Sequence, residues 1–310
     1  MHTLVTGGAG FIGSNLVKLL LEEGHTVSVL DNLLTGHRVN LAPFPSVKFI
    51  EGDIRDDDAL AAAISGADAV FHLAASVGNK RSIDLPLDDA DVNMLGTLRV
   101  LEAVRTRGIR RLVFSSSAGV FGELRTLPIR EDHPLEPDSP YGASKLGAEK
   151  ACLAYGRLYG FDVACLRYFN VFGINQRFDA YGNVIPIFAH RMIRGEPVTI
   201  FGDGEQTRDF VNVRDVARAN LGAAMARGVS GAFNIASGSA ITINRLVGLM
   251  QSVSGLNANV VYAAPRPGDV RHSLADLTAA RAAFGFDPGT DLEAGLREYL
   301  AWAIADAARN

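Results

Sequence analysis

The segment Thr6-Gly7-Gly8-Ala9-Gly10-Phe11-Ile12-Gly13 stands between an apolar run at His2 to Thr6 and a stretch of helical periodicity that opens at Phe11. Three of its glycines have separate uses in such a strand-to-helix turn. Gly7 permits a tight bend, Gly10 lets the backbone approach a pyrophosphate, and Gly13 lets the helix lie close on the sheet, while the free N–H groups of the first helical turn face the anion. A glycine pattern alone is weak. Here a second apolar strand, Thr26 to Leu30, follows and ends in Asp31-Asn32, close to the spacing at which an acid meets a ribose. An acid there accepts bonds from a 2′-hydroxyl and repels a 2′-phosphate, so the pattern predicts NAD rather than NADP.

The alternation continues along the first half. Val47 to Glu51, Ala69 to Leu73, Arg111 to Ser115 and Val163 to Arg167 read as strands, with helical patterns at Asp57 to Ile64, Asp88 to Thr106 and Tyr141 to Gly156 between them. Nearly continuous apolar strands separated by helices predict an α/β fold, a doubly wound parallel Rossmann sheet covered on both faces. After about residue 170 the regularity weakens, and a smaller, interleaved C-terminal substrate lobe is expected. The predicted division is residues 1–169 with about 210–236 for the NAD-binding domain, and 170–209 with 237–310 for the second lobe.

The 310 residues suffice for this plan, and 30 basic against 34 acidic side chains leave no basic stripe for nucleic acid. Cys152 and Cys165 lack metal-site spacing and read as reduced core thiols. No leader or membrane span is visible, so a cytoplasmic protein without a membrane partner is expected.

Further candidates sit at strand ends. Asp53-Ile54 closes the third strand, where an adenine edge would lie, and the small residues of Leu73-Ala74-Ala75 after the fourth leave room for a nicotinamide ribose. His72, inside an apolar run, reads as a satisfied core histidine. Ser115-Ser116-Ser117 follows the fifth strand, and Tyr141-Gly142-Ala143-Ser144-Lys145 opens a helix after Pro140. Tyr141 and Lys145 share one helical face, so the ammonium beside the phenol favours the phenolate and makes Tyr141 a candidate general base for an alcohol.

With these motifs, together with Leu166-Arg167-Tyr168-Phe169-Asn170, the Gly202 to Val213 segment and Arg266-Pro267-Gly268-Asp269, the chain resembles the extended short-chain dehydrogenase/reductases, specifically the UDP-sugar 4-epimerases, from Leu4 to about Pro288. The resemblance implies a catalytic set of Ser117, Tyr141 and Lys145 and a prosthetic NAD. In it Tyr141 takes the O4 proton as hydride leaves C4, and the resulting 4-keto sugar turns over before hydride returns. It further implies that Tyr168, Ser115 and Asn93 support the nicotinamide pocket. Asn170, Arg208 and Arg266 would bind the diphosphate, Gln206 and Asp269 the uridine ribose, and Thr199 to Phe201 the uracil, with Val184 at the substrate helix. A homodimer through the helices at Asp88 to Thr106 and Ser144 to Gly156 is also expected, and no metal.

Two competing chemistries meet obstacles in the sequence. A 4,6-dehydratase is expected to carry an acid pair after the serine strand, where this chain has Ser117-Ala118-Gly119-Val120-Phe121. A non-catalytic NAD-sensing scaffold is opposed by the intact Ser/Tyr/Lys set. For the sugar, the resemblance, aligned through Arg266-Pro267-Gly268-Asp269, implies that Ser273 falls where a bulky side chain narrows the pocket in strict UDP-glucose enzymes. Arg177, Arg191 and Arg194 suggest a guanidinium for a C6 carboxylate. On that ground UDP-glucuronate is expected ahead of UDP-glucose and UDP-N-acetylglucosamine.

Overall fold

The computed structural model describes residues 1–178, 182–265 and 270–309. The first half runs β1 (His2–Thr6), α1 (Phe11–Glu22), β2 (Thr26–Asp31), β3 (Lys48–Glu51), α2 (Asp57–Ile64), β4 (Ala69–His72), α3 (Asn79–Asp84), α4 (Pro86–Ala90), α5 (Thr97–Thr106), β5 (Arg111–Ser117), α6 (Pro140–Tyr159) and β6 (Asp162–Tyr168). The second half runs β7 (Asn170–Phe172), α7 (Val184–Arg194), β8 (Val198–Phe201), β9 (Thr207–Asn212), α8 (Val213–Met225), β10 (Gly231–Ile235), β11 (Ala240–Thr242), α9 (Ile243–Ser254), β12 (Val260–Ala263), α10 (Thr278–Phe284) and α11 (Leu292–Ala307).

Among the described residues, seven parallel strands form the central sheet in the order β3-β2-β1-β4-β5-β6-β10. The order reverses between β1 and β4, which places a crevice at their C-terminal ends. Alternate strand residues feed two separate cores, as the period of two requires. Val5, Val29, Phe71, Val113 and Leu166 pack with α1 and α8 on one face. Leu4, Leu30, Val70, Leu112 and Val163 pack with α2, α5 and α6 on the other.

The smaller lobe has its own core around Phe172, Phe188, Ile200, Leu246 and Tyr299. Its strands form a three-stranded sheet, β11-β9-β7, and a two-stranded one, β12-β8. The strand ending at Asn212, expected with the first lobe, is therefore β9 of this small sheet, and only β10 returns to the large one. No helix among the described residues is long and apolar enough to cross a membrane.

The helix expected from Asp88 to Thr106 is broken. A π-helical turn at Asp91–Gly96 separates α4 from α5. Both Asp89, 1% exposed, and Asn93, 2% exposed, are buried at this wider turn.

Candidate active site

The glycine turn follows β1 and packs on the segment after β4. Gly7 has φ +70°, and a Cβ there would meet the Ala74 backbone nitrogen at 2.7 Å. A Cβ on Gly13 would run into the Gly7 carbonyl, so close packing of α1 requires its absence. Phe11 and Ile12 pack against the core from the first turn of α1. Asp31 closes the crevice wall, accepting from the Ala9 N–H at 2.9 Å and the Leu33 N–H at 2.9 Å. Burial raises its carboxyl above the ordinary value. Each oxygen keeps a second lone pair for a ribose hydroxyl.

Asp53 is held by Arg55 and by Asn32 Nδ2 at 2.8 Å. The Arg55 hydrogen bonds keep its carboxyl well below the usual range. Ile54 is buried, with its side chain against Gly96. Leu73 and Ala74 donate to the Thr6 carbonyl and hydroxyl, which fixes the strand end that Ala75 continues. His72 shares hydrogen bonds with Thr6 Oγ1 at 2.7 Å and Thr97 Oγ1 at 3.0 Å, and burial lowers its pKa to about 3. It is a satisfied core imidazole.

Ser139 caps α6, its hydroxyl accepting from the Gly142 N–H at 3.1 Å, and Pro140 takes the first helical position. Gly142 carries no Cβ, which lets the helix start seat on the Gly119 carbonyl and brings Tyr141 against Ser117. Burial pushes the Tyr141 phenol above its ordinary value, and a hydrogen bond with Ser117 pulls the other way. One turn on, Lys145 is 3% exposed and its Nζ stands 4.4 Å from the centroid of the Phe114 ring. Burial lowers its pKa to about 8. Among the described residues, Nζ has no hydrogen-bond acceptor. The glycine cradle, the small residues after β4 and this unmatched ammonium together fit a dinucleotide whose ribose hydroxyls meet Lys145.

Asn93, which the resemblance implied, and two side chains that the sequence did not single out, Asp89 and Glu149, hold this arrangement. Asn93 donates to the Ser76 carbonyl at 2.9 Å, accepts from the Ser76 N–H at 2.9 Å and donates to Asp89 at 3.1 Å. Ser144 Oγ donates to Asp89 at 2.5 Å. Glu149 is fully buried and accepts from Ser116 Oγ at 2.6 Å and from Arg167 Nε and Nη2 at 3.0 and 2.7 Å. It thereby joins the helix carrying Tyr141 and Lys145 to both strands behind them. The spacing Tyr141, Lys145, Glu149 was the available signal.

Two expected nicotinamide contacts take another form. Tyr168 lies on the α8 side of the sheet, where its hydroxyl donates to Asn220 at 2.9 Å and accepts from Ser115 at 3.1 Å. Burial raises its pKa to about 12. Both side chains are therefore buried and bonded within the core.

In the second lobe, Asn170 opens β7 and donates to the Asp209 carbonyl at 3.2 Å. Val184 is the first residue of α7. Thr199 and Phe201 lie on β8, and Gln206 Nε2 donates to the Phe201 carbonyl at 2.9 Å. Phe201, Gln206, Tyr262 and Arg271 line a cavity of about 480 Å³. Gln206 Oε1 is buried there without a hydrogen-bond partner among the described residues. Arg208 donates to the Thr207 carbonyl at 2.9 Å, while Arg266 and Asp269 lie outside the described residues.

The three arginines expected at the sugar have other partners. Arg177 donates to Asn40 at 2.9 Å and to Asp306 at 3.1 Å, over the Trp302 ring. Arg191 and Arg194 lie at the far end of α7, two to three turns or about 10–15 Å beyond Val184. They donate to the Pro197 carbonyl at 2.8 Å and to Glu196 at 2.7 Å. Sequence spacing could not show that the chain after Asn170 turns toward α11.

Residues 3–236 match the model of the NAD dependent epimerase/dehydratase family, and the chain belongs to it. It is an enzyme with NAD as its cofactor, among the extended short-chain dehydrogenase/reductases that include the UDP-sugar 4-epimerases. The UDP-glucose 4-epimerase of Mycolicibacterium smegmatis is 38% identical over 303 residues, covering 96% of each chain. The Thermotoga maritima UDP-glucose 4-epimerase, solved with UDP-glucose, is 39% identical over all of both chains with a TM-score of 0.93. A UDP-N-acetylglucosamine 4-epimerase from Methanobrevibacter ruminantium, solved with UDP-N-acetylmuramic acid, is 38% identical over 98% of both with a TM-score of 0.94.

Proposed function

We propose that this enzyme inverts C4 of a neutral UDP-hexose, interconverting UDP-glucose and UDP-galactose, and accepts the N-acetylated pair as well. The observation that carries the C4 chemistry is the hydrogen bond of Tyr141 with Ser117, one turn of α6 before the buried Lys145. Tyr141 Oη receives the proton of O4 and returns it, and Ser117 Oγ orients the same oxygen. Lys145, protonated at neutral pH, favours the phenolate and holds the cofactor ribose. NAD, when bound, supplies the hydride acceptor and donor at C4.

The substrate reading rests on two features. Arg177, Arg191 and Arg194 are engaged with groups of the chain itself, which removes the reason for expecting a C6 carboxylate. Ser273 is a small, buried residue, which suits a pocket with room beside C2. A homodimer belongs to the same proposal, supported by Leu87, Leu95 and Leu158, exposed on α4, the turn after it and α6. The test is competition among UDP-galactose, UDP-N-acetylgalactosamine and UDP-galacturonate, with epimers separated chromatographically. The neutral sugars should turn over at least about tenfold faster than the uronate, the factor one charge-assisted bond supplies. Faster turnover of the uronate would reverse the substrate assignment.

A further inference from the structure

We propose that Arg177 is a positioning residue for the cofactor: through Asp306 and Asn40 it ties the C-terminal helix α11 to the glycine turn and so governs how long NAD stays bound. The proposal rests on the cofactor reading of that turn.

The Ala9 peptide at the centre of the turn is gripped on both sides. Its N–H donates to Asp31, and its carbonyl accepts from the His37 N–H at 3.0 Å and from Asn40 Nδ2 at 2.9 Å. Asn40 is buried, and its other amide atom accepts from Arg177 Nη1 at 2.9 Å. The second arm of the same guanidinium reaches Asp306 at 3.1 Å, and its face covers the Trp302 ring. A planar fork serves two partners at fixed separation, which an ammonium does not.

The segment before Arg177 is tied to the start of α1 as well. Asn15 Nδ2 donates to the Ile174 carbonyl at 2.9 Å, and Asn175 Nδ2 donates to Ser14 Oγ at 3.0 Å. On the other side, the Tyr299 hydroxyl of α11 donates to the Gln176 carbonyl at 3.0 Å. Residues 174–177 therefore form a strap from α11 across to the turn and to the helix start that faces the pyrophosphate. Arg177 and Asp306 side chains are only 21% and 17% exposed, so this pair is sheltered from the screening that weakens surface pairs. Releasing a dinucleotide requires the turn to open, and the strap opposes that opening.

The test follows NAD exchange in the purified holoenzyme. Excess isotopically labelled NAD is added, and unlabelled NAD in the filtrate is measured by mass against time. Arg177→Ala and Asp306→Asn should each speed release at least about tenfold, the factor lost with one charge-assisted hydrogen bond. The double variant should be within about twofold of Arg177→Ala, because both remove one linkage. Glu298→Gln removes a different ion pair of α11, the one to Arg214, and should release NAD at the wild-type rate. If Arg177→Ala does not fold, the nearly isosteric Asp306→Asn carries the same test. Unchanged release in Asp306→Asn, or equal acceleration in Glu298→Gln, would overturn the proposal. Wild-type protein without NAD would instead overturn the cofactor reading beneath it.

Discussion

Around the glycine turn and the start of α6, Asp31, Asn93 and His72 are already bonded within the protein, whereas in the second lobe Gln206 Oε1 is buried beside a cavity of about 480 Å³ with no hydrogen-bond partner among the described residues. Asp31, Asn93 and His72 each have two or more partners in the chain, and Lys145 is the exception. The difference suits ligands with different residence. On the proposed reading, the cofactor would meet a rigid frame with one charge held in reserve, while the exchanging substrate would meet a roomier pocket with an acceptor to fill.

The largest effect that bears on this contrast is loss of the base. Tyr141→Phe should lower turnover at least about 100-fold while leaving bound NAD and the thermal midpoint unchanged, because only a hydroxyl is removed. Steady-state rates alongside the NAD content of the purified protein check it. Turnover within twofold of wild type would remove Tyr141 from the mechanism.

Rigidity at the cofactor end is tested next by Glu149→Ala. It leaves the Arg167 guanidinium, 3% exposed, without its carboxylate in the core. Stability should fall by about 3–5 kcal/mol, read from urea unfolding, because an uncompensated buried charge is costly. At the open end Gln206→Leu should raise KM about tenfold with little change in kcat, if Oε1 meets the substrate as proposed, and should cost about 1 kcal/mol of stability because the Nε2 bond to the Phe201 carbonyl is lost too.

The smallest effect is a displacement of the pH profile. Burial raises the Tyr141 phenol, and the negative charge of Asp89 adds to that rise. Asp89→Asn removes the charge, so the phenol ionises more readily and the acid limb of kcat should move to lower pH, by up to about one unit. The same charge also helps keep Lys145 protonated, so loss of activity through deprotonation of its ammonium, near pH 8 in the parent, should begin lower as well. A limb that moves upward contradicts the sign.

The cofactor half was legible because its constraints are local. A glycine turn, an acid at the end of β2 and a tyrosine and lysine one turn apart each announce themselves within a few residues. The broken helix at Asp91–Gly96 was not legible, because nothing in its apolar spacing distinguishes a π-helical turn that is held by Asn93 and Asp89 reaching Ser76 and Ser144. That the Tyr168 hydroxyl bonds Ser115 and Asn220 was not legible either, because only strand alternation turns its side chain toward α8. Arg177 was not legible for a related reason: its partners Asn40 and Asp306 lie more than a hundred residues away, and only the tertiary fold brings them together.

The central claim is inversion at C4 by a set of residues that carries its own NAD. Purified protein incubated with UDP-galactose, with no cofactor added, should yield UDP-glucose and approach the same mixture from either epimer. Protein that contains NAD yet leaves both sugars unchanged, or that converts them to a 4-keto-6-deoxy product, would contradict it.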